Sequence, residues 1–315
     1  MQFVTLAAGA HAGVLLGNRI LDFVACREAV PEARLLPREL HKILAAGAPA
    51  LALVGRIIDQ IDTNTNLADR LTVEGALLAR SNAKLMAPLP NPALILSVGA
   101  NYREHMREMN APIPDRPYAF TKNAAQVIGS GAQILLPASN PDMVDWEGEF
   151  TVVIGRTCHN VSEDEALDCV AGYTLVNDVS ARDWAAAVFQ AQGTMGPIMA
   201  WGENLLGKMF PTFCPMGPVL TTRDEISDPD DVDLLVLLNG QTMQSANTSD
   251  LIFGVRKLIS YFSQFYTFRP GDVITTGSPS GVGYGRNPQI FMHAGDQIEV
   301  RSNKIGTLTN PVVAG

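Results

Sequence analysis

The chain is short of several things, and each shortage excludes something. Its 315 residues hold only four cysteines (Cys26, Cys158, Cys169 and Cys214), none in a CxxC pair. That spacing fits neither a disulfide framework nor a zinc site, and it suits the reduced thiols of a cytoplasmic protein. Positive charge is also scarce, with 23 basic against 32 acidic residues, a net charge of −9 and no basic run. Binding to nucleic acid needs clustered Lys and Arg against the phosphates, so that class is set aside. An anionic small molecule would need a locally basic pocket. No uninterrupted apolar run reaches the roughly 18 residues of a membrane span. The apolar N-terminus MQFVTLAAGAHAGVLLGNRILDF meets its first charge at Arg19 and so lacks the basic start of a signal peptide. Its glycines and Asn18 divide it into runs that read as a β-hairpin. Against these absences stands a hydrophobic content of 47%, which excludes a mainly disordered chain.

The pattern changes near residue 90. Residues 1–25 read as strands, and ELHKILAAGAPALALVGRIIDQ carries helical spacing interrupted at Pro49. MAPLPNPALI, with three prolines, reads as a connector. Beyond it, short β-rich runs such as ALILSVGA, FTVVIG, YTLVND, VDLLVLLNG and DQIEVRS alternate with Gly, Pro, Asn and Asp. Only EDEALDCVAG, SARDWAAAVFQAQ and SDLIFGVRKLISYFSQF look helical. The expectation is an α+β chain, mainly β, built as a mixed β-sandwich or β-roll, with a small N-terminal domain over 1–85 and a catalytic domain over 86–315.

The chemistry concentrates in VDWEGEFTVVIG. Glu147 and Glu149 stand one residue apart at the mouth of a strand, where positions i and i+2 share a face. Two like charges so close repel unless a cation, a proton or a basic group lies between them. The strand-like YTLVN ends in Asp178, and pairing of the two strands would bring three carboxylates together. Oxygen-only ligands suit a hard cation, Mg²⁺ or Mn²⁺. In NYREHMREM, His105 and Glu108 are neighbours at i, i+3 on a helical turn, the arrangement of a general base oriented by a carboxylate. Lys122, Arg182 and Lys208 supply positive charge. Arg182, four residues after Asp178, is placed to clamp a substrate carboxylate. TTGSPSGVGYG matches neither the P-loop nor the dinucleotide fingerprint, and it reads as a tight loop presenting backbone N–H groups and the Thr276 hydroxyl.

Taken in order, VGANYREHMREM, VDWEGEFTVVIG, VAGYTLVNDVSARDW, GKMFPTFCPMGP, VLLNGQTMQSANTSDLIF, PGDVITTGSPSGVG and AGDQIEV resemble the fumarylacetoacetate hydrolase family over about residues 92–313. The resemblance implies a β-roll catalytic domain, a homodimer and a bound Mg²⁺ or Mn²⁺. It places the metal-binding triad on Glu147, Glu149 and Asp178, a histidine–glutamate pair on His105 and Glu108, and the site lysine on Lys208. The threonine of the family's TGTP-like loop falls on Thr276, here within TGSP. Tyr102, Lys122, Arg182 and Thr276 are the expected substrate contacts. Where some family hydrolases carry a glutamine after the ARD motif, this chain has Ala185. The segment from Trp184 to Leu206 is long and rich in Met, Trp and Phe. If it lines the pocket, Phe189, Met199 and Trp201 favour a substrate with an apolar tail.

The implied reaction is metal-dependent hydrolysis of a C–C bond in a 2,4-dioxo acid such as an acylpyruvate, a chemistry of aromatic catabolism. His105 would activate water, Lys208 would meet oxyanion charge and Arg182 would position the substrate. The same enolate serves a decarboxylase of oxaloacetate type, or an isomerase or hydratase of 2-oxo acids. From a different class comes a non-catalytic, metal-stabilised binding protein.

Overall fold

The computed structural model describes residues 1–315. Its central sheet runs in the order Leu77–Ala79, Arg19–Asp22, His11–Leu16, Gln2–Leu6, Cys214–Thr222, Val170–Asn177, Gly148–Ile154, Val273–Thr275, Ile95–Gly99 and Tyr118–Lys122. A second sheet orders Gln241–Asn247, Asp233–Leu238, Gln297–Ser302, Gly306–Ala314 and Ile134–Leu136. The expected N-terminal hairpin extends to a three-stranded antiparallel meander whose first strand pairs with Cys214–Thr222. The N-terminal strands thus continue the central sheet, and their helices lie between the third and fourth of them in sequence.

Successive residues of the central strands serve different cores, because neighbouring side chains on a strand point to opposite faces. Val152, Leu175 and Ile274 join Val236, Ile298 and Val300 of the second sheet. Their neighbours Val153, Val176 and Val273 join Leu53, Val54 and Ile57 of the helix Gly47–Thr63. The central sheet is therefore buried on both sides, which explains why FTVVI and YTLV read as continuous apolar runs. Gly148 lets the two sheets come close: a Cβ there would stand 2.3 Å from Val236 Cγ2. Pro49 does not interrupt a helix. The break falls at Gly47, in the left-handed region at φ +65°, and Pro49 occupies the first turn of the second helix, where its missing N–H is harmless. No helix is long and apolar enough to cross a membrane.

Candidate active site

Antiparallel pairing of Gly148–Ile154 with Val170–Asn177 sets Gly148 opposite Asn177, and Asp178 N–H donates to Glu147 O at 2.8 Å. That register brings the carboxylates together as expected: oxygens of Glu147, Glu149 and Asp178 all lie within 4.8 Å of one another, and all three residues are buried. Arg182, four residues after Asp178, is brought in by strand pairing and not by a helical turn. Ser180–Ala181 pairs with Val144–Asp145 as a two-strand bridge, and Arg182 N–H closes it on Met143 O at 2.9 Å.

Three cations answer these acids. Lys208 Nζ donates to Glu147 Oε2 at 2.8 Å, Asp178 Oδ2 at 2.9 Å and Ser180 Oγ at 2.8 Å, so its three hydrogens are all committed. Its ammonium group also lies over the Phe120 ring, 5.5 Å from Nζ to the centroid. Lys122, fully buried, donates to Asp178 Oδ1 at 2.5 Å and Lys208 O at 2.8 Å. Arg182 donates from Nε to Asp145 Oδ2 at 3.0 Å and from Nη2 to Glu147 Oε1 at 2.6 Å.

The electrostatics follow from this pairing. Burial alone would raise the Glu147 carboxyl, but Lys208 and Arg182 outweigh it and bring its pKa down to about 2. Glu149 goes the other way: burial, then repulsion by Asp178 and Glu147, push it well above the usual carboxylate range. It is also the one acid of the three that makes no ion pair. Adding a cation among these oxygens would relieve that repulsion, and an all-carboxylate donor set matches a hard divalent ion. The residues fit a metal.

The glycine-rich loop acts on the acids. Gly277 N–H donates to Glu149 Oε2 at 2.9 Å, Gly281 N–H to Glu108 Oε1 at 2.9 Å, and Gly283 and Tyr284 N–H to Asp145 at 2.7 and 3.0 Å. Gly277 and Gly281 sit at φ +93° and +98°, which only glycine adopts readily. On the helix Arg103–Glu108, His105 Nδ1 lies 3.0 Å from Glu108 Oε2. Glu108 is thus fixed at one oxygen by the loop and faces the imidazole with the other.

A cavity of about 290 Å³ opens on this cluster. His105, Glu147, Asp178, Arg182 and Lys208 line it, together with Phe189 and Trp201 from the long segment; Met199 does not reach the wall. Three expected substrate contacts are also absent from it. Lys122 is buried beneath Asp178, the Thr276 hydroxyl donates to Phe150 O at 2.9 Å, and Tyr102 is wholly buried, with its hydroxyl unpartnered. Arg182 lines the cavity, with its Nε and Nη2 given to Asp145 and Glu147.

Sequence reasoning passed over Asp145, whose signal was present: VDWEGE places acids at 145, 147 and 149, every second position. It also passed over Tyr118, whose hydroxyl accepts from Trp201 Nε1 at 2.7 Å, and Ser97, whose hydroxyl donates to Asp178 at 3.2 Å. Neither carried a signal, since both are brought in by the parallel and antiparallel pairing of Ile95–Gly99.

Residues 94–313 match the family model described as fumarylacetoacetate (FAA) hydrolase C-terminal. The chain belongs to the fumarylacetoacetate hydrolase family. Family relatives differ in reaction. The mitochondrial oxaloacetate tautomerase FAHD2A of Bos taurus is 38% identical over 308 residues, 97% of this chain and 88% of that one. The 2,4-didehydro-3-deoxy-L-rhamnonate hydrolase of Sphingomonas sp. (strain SKA58) is 44% identical over 231 residues, 73% of this chain and 76% of that one. Among solved structures, the maleylpyruvate hydrolase of Sphingobium sp. SYK-6, in complex with manganese(II) and pyruvate, superposes with a TM-score of 0.70 at 26% identity, covering 100% of both chains.

Proposed function

We propose that this family member is a divalent-metal-dependent hydrolase that cleaves the C3–C4 bond of a 2,4-dioxo acid. The observation that carries the reading is the His105–Glu108 pair, held by the Gly281 amide beside the cavity that Glu147, Asp178 and Lys208 also line. Two relatives whose names describe hydrolases of this family agree with it.

Glu147, Glu149 and Asp178 would hold Mg²⁺ or Mn²⁺. A bound divalent ion supplies Lewis-acid stabilisation of the enolate that leaves when the bond breaks. Glu108 accepts the Nδ1 hydrogen of His105, which selects the tautomer with a free lone pair on Nε2. Nε2 takes a proton from water, and the resulting hydroxide adds to the C4 carbonyl. When the C3–C4 bond breaks, C4 leaves as the carboxylic acid, and His105 returns its proton to C3 to give pyruvate. Lys208 keeps Glu147 and Asp178 fixed throughout and places positive charge beside the developing oxyanion.

The test is an acylpyruvate assay on metal-stripped protein with Mg²⁺ or Mn²⁺ restored, following loss of enol absorbance and formation of pyruvate. His105→Ala is expected to keep metal affinity within about twofold and lose at least about 100-fold in turnover. A variant that hydrolyses at the wild-type rate would remove His105 from the mechanism. A second reading is keto–enol tautomerisation of oxaloacetate, favoured by the relative that matches 97% of the chain. There His105 moves a proton between carbon and oxygen, no water is consumed, and the enol signal decays without pyruvate.

A further inference from the structure

A second cavity, of about 440 Å³, opens between the N-terminal residues Gly9 and Arg38 and the loops that precede two central strands. On its wall, Pro92 and Ala93 lead into Ile95–Gly99, and Pro270 and Gly271 lead into Val273–Thr275. Those strands pair in parallel, so both start at this cavity. Their far ends reach the active site: Gly99 lines the first cavity, and Gly277, two residues beyond Thr275, holds Glu149. The two cavities therefore stand at opposite ends of one strand pair, about 15 Å apart at a strand's rise per residue.

Its charges are arranged differently from those of the active site, where Lys208 and Arg182 are given to buried acids. Here Arg38 and His41 stand on the wall, and neither side chain takes part in a hydrogen bond or ion pair. The one carboxylate on that wall, Glu39, is engaged by Lys42 at 3.1 Å. A buried polar atom lies beside them. His11 gives Nε2 to Asp22 Oδ1 at 2.8 Å, and its Nδ1 has no partner. Gly9, on the wall, meets that nitrogen with backbone alone: a Cβ there would stand 3.1 Å from His11 Nδ1 and 3.4 Å from Arg38 Nη2. Pro88, Pro90, Pro92 and Pro270 supply much of the remaining wall, and their fixed rings keep its shape at little ordering cost. We propose that this cavity binds a small oxyanion, the carboxylate or phosphate group of a metabolite, clamped by Arg38 with His41 beside it. A guanidinium offers paired donors that match either group. In a chain of net charge −9, an unpaired arginine on a shaped cavity is the locally basic pocket that an anion needs. The inference stands apart from the reading of the reaction.

Calorimetry on the Mg²⁺-loaded full chain, with inorganic phosphate and succinate as probes, tests the site. The expected result is saturable binding of at least one probe, with a Kd of about 1 mM or tighter. Arg38→Gln should weaken it at least about tenfold, and Glu39→Gln, which removes the wall's carboxylate, should tighten it about two- to threefold. The Arg38 side chain has no partner to lose, so its variant should fold and bind Mg²⁺ as the wild type does. Lys257→Gln removes an equal charge from the helix Val255–Ser263 and should leave probe affinity within about twofold. Binding of phosphate alone would support a phosphate ester as the ligand class, and of succinate alone a carboxylic acid. Saturable binding of neither probe, an unchanged affinity in Arg38→Gln, or an equal loss in Lys257→Gln would overturn the proposal.

Discussion

Asp145 and Arg182 illustrate how a residue that does not bind metal sets what a metal meets. Burial raises the Asp145 carboxyl, partly offset by Arg182 and by amides of the glycine loop. Arg182 then reaches Glu147, so one guanidinium ties the loop-anchored acid to the proposed ligand. Arg182→Met would leave a buried carboxylate without its cation. The expected loss is about 3 kcal/mol of stability, the low end for a broken buried pair because Asp145 keeps its three backbone donors. Denaturant unfolding checks this, and a metal titration should show affinity about 10–100-fold weaker. The cysteines offer a second test. All four are buried and unpaired, and burial pushes the thiols of Cys26, Cys158 and Cys214 up to about 12. A thiol reagent at pH 8 should find almost no reactive sulfur in the native protein and four after denaturation.

At the scale of elements, the segment from Ala185 to Leu206 folds as two short helices with much of its apolar surface outward: Phe189, Met195, Ile198, Met199 and Leu206 are all exposed. Its tie to the sheet includes the Trp201–Tyr118 pair, with rings edge-on at 5.4 Å and the indole N–H donating to the phenol. Trp201→Phe keeps the ring contact and removes the hydrogen bond, about 1 kcal/mol. Because few core residues depend on this segment, the loss should be local. Hydrogen exchange is expected to speed up across 185–206, with little change in the global melting temperature. The strand pair Gly148–Ile154 and Val170–Asn177 behaves oppositely, since every residue in the first of these strands is buried.

Around the candidate site, where strands from distant parts of the molecule meet, four buried carboxylates (Asp145, Glu147, Glu149 and Asp178) stand against three buried or nearly buried cations (Lys122, Arg182 and Lys208). This imbalance favours a native state loaded with a cation over the metal-free one. Anything that binds the folded but not the unfolded chain stabilises it by mass action, about 2.7 kcal/mol at a hundredfold excess over Kd. Thermal unfolding with Mn²⁺ or Mg²⁺ should therefore shift upward with metal concentration. Asp178→Asn should abolish the shift, and a concentration-dependent shift retained in that variant would remove Asp178 from the metal site.

Local patterns carried the cluster of acids, the His105–Glu108 neighbours and the existence of the central strands. Alternation within VDWEGEF puts two acids on one face, and the spacing of His105 and Glu108 makes them neighbours on any helical turn, whatever surrounds them. Apolar runs such as FTVVI require burial. The partners of each charge were a different matter. That Arg182 meets Asp145 depends on a two-strand bridge between segments 35 or more positions apart, as the Arg182–Asp145 separation of 37 shows. Thr276 and Lys122 look like ligand contacts in the sequence, yet strand register buries both behind the acids. The double use of the central sheet was likewise invisible locally, because a strand buried on one face by a sheet and on the other by a helix reads as one apolar run. Side-chain type and short-range spacing follow from covalent connectivity and backbone geometry. The pairing of distant charges follows only once the sheet register brings them within a few ångströms of each other.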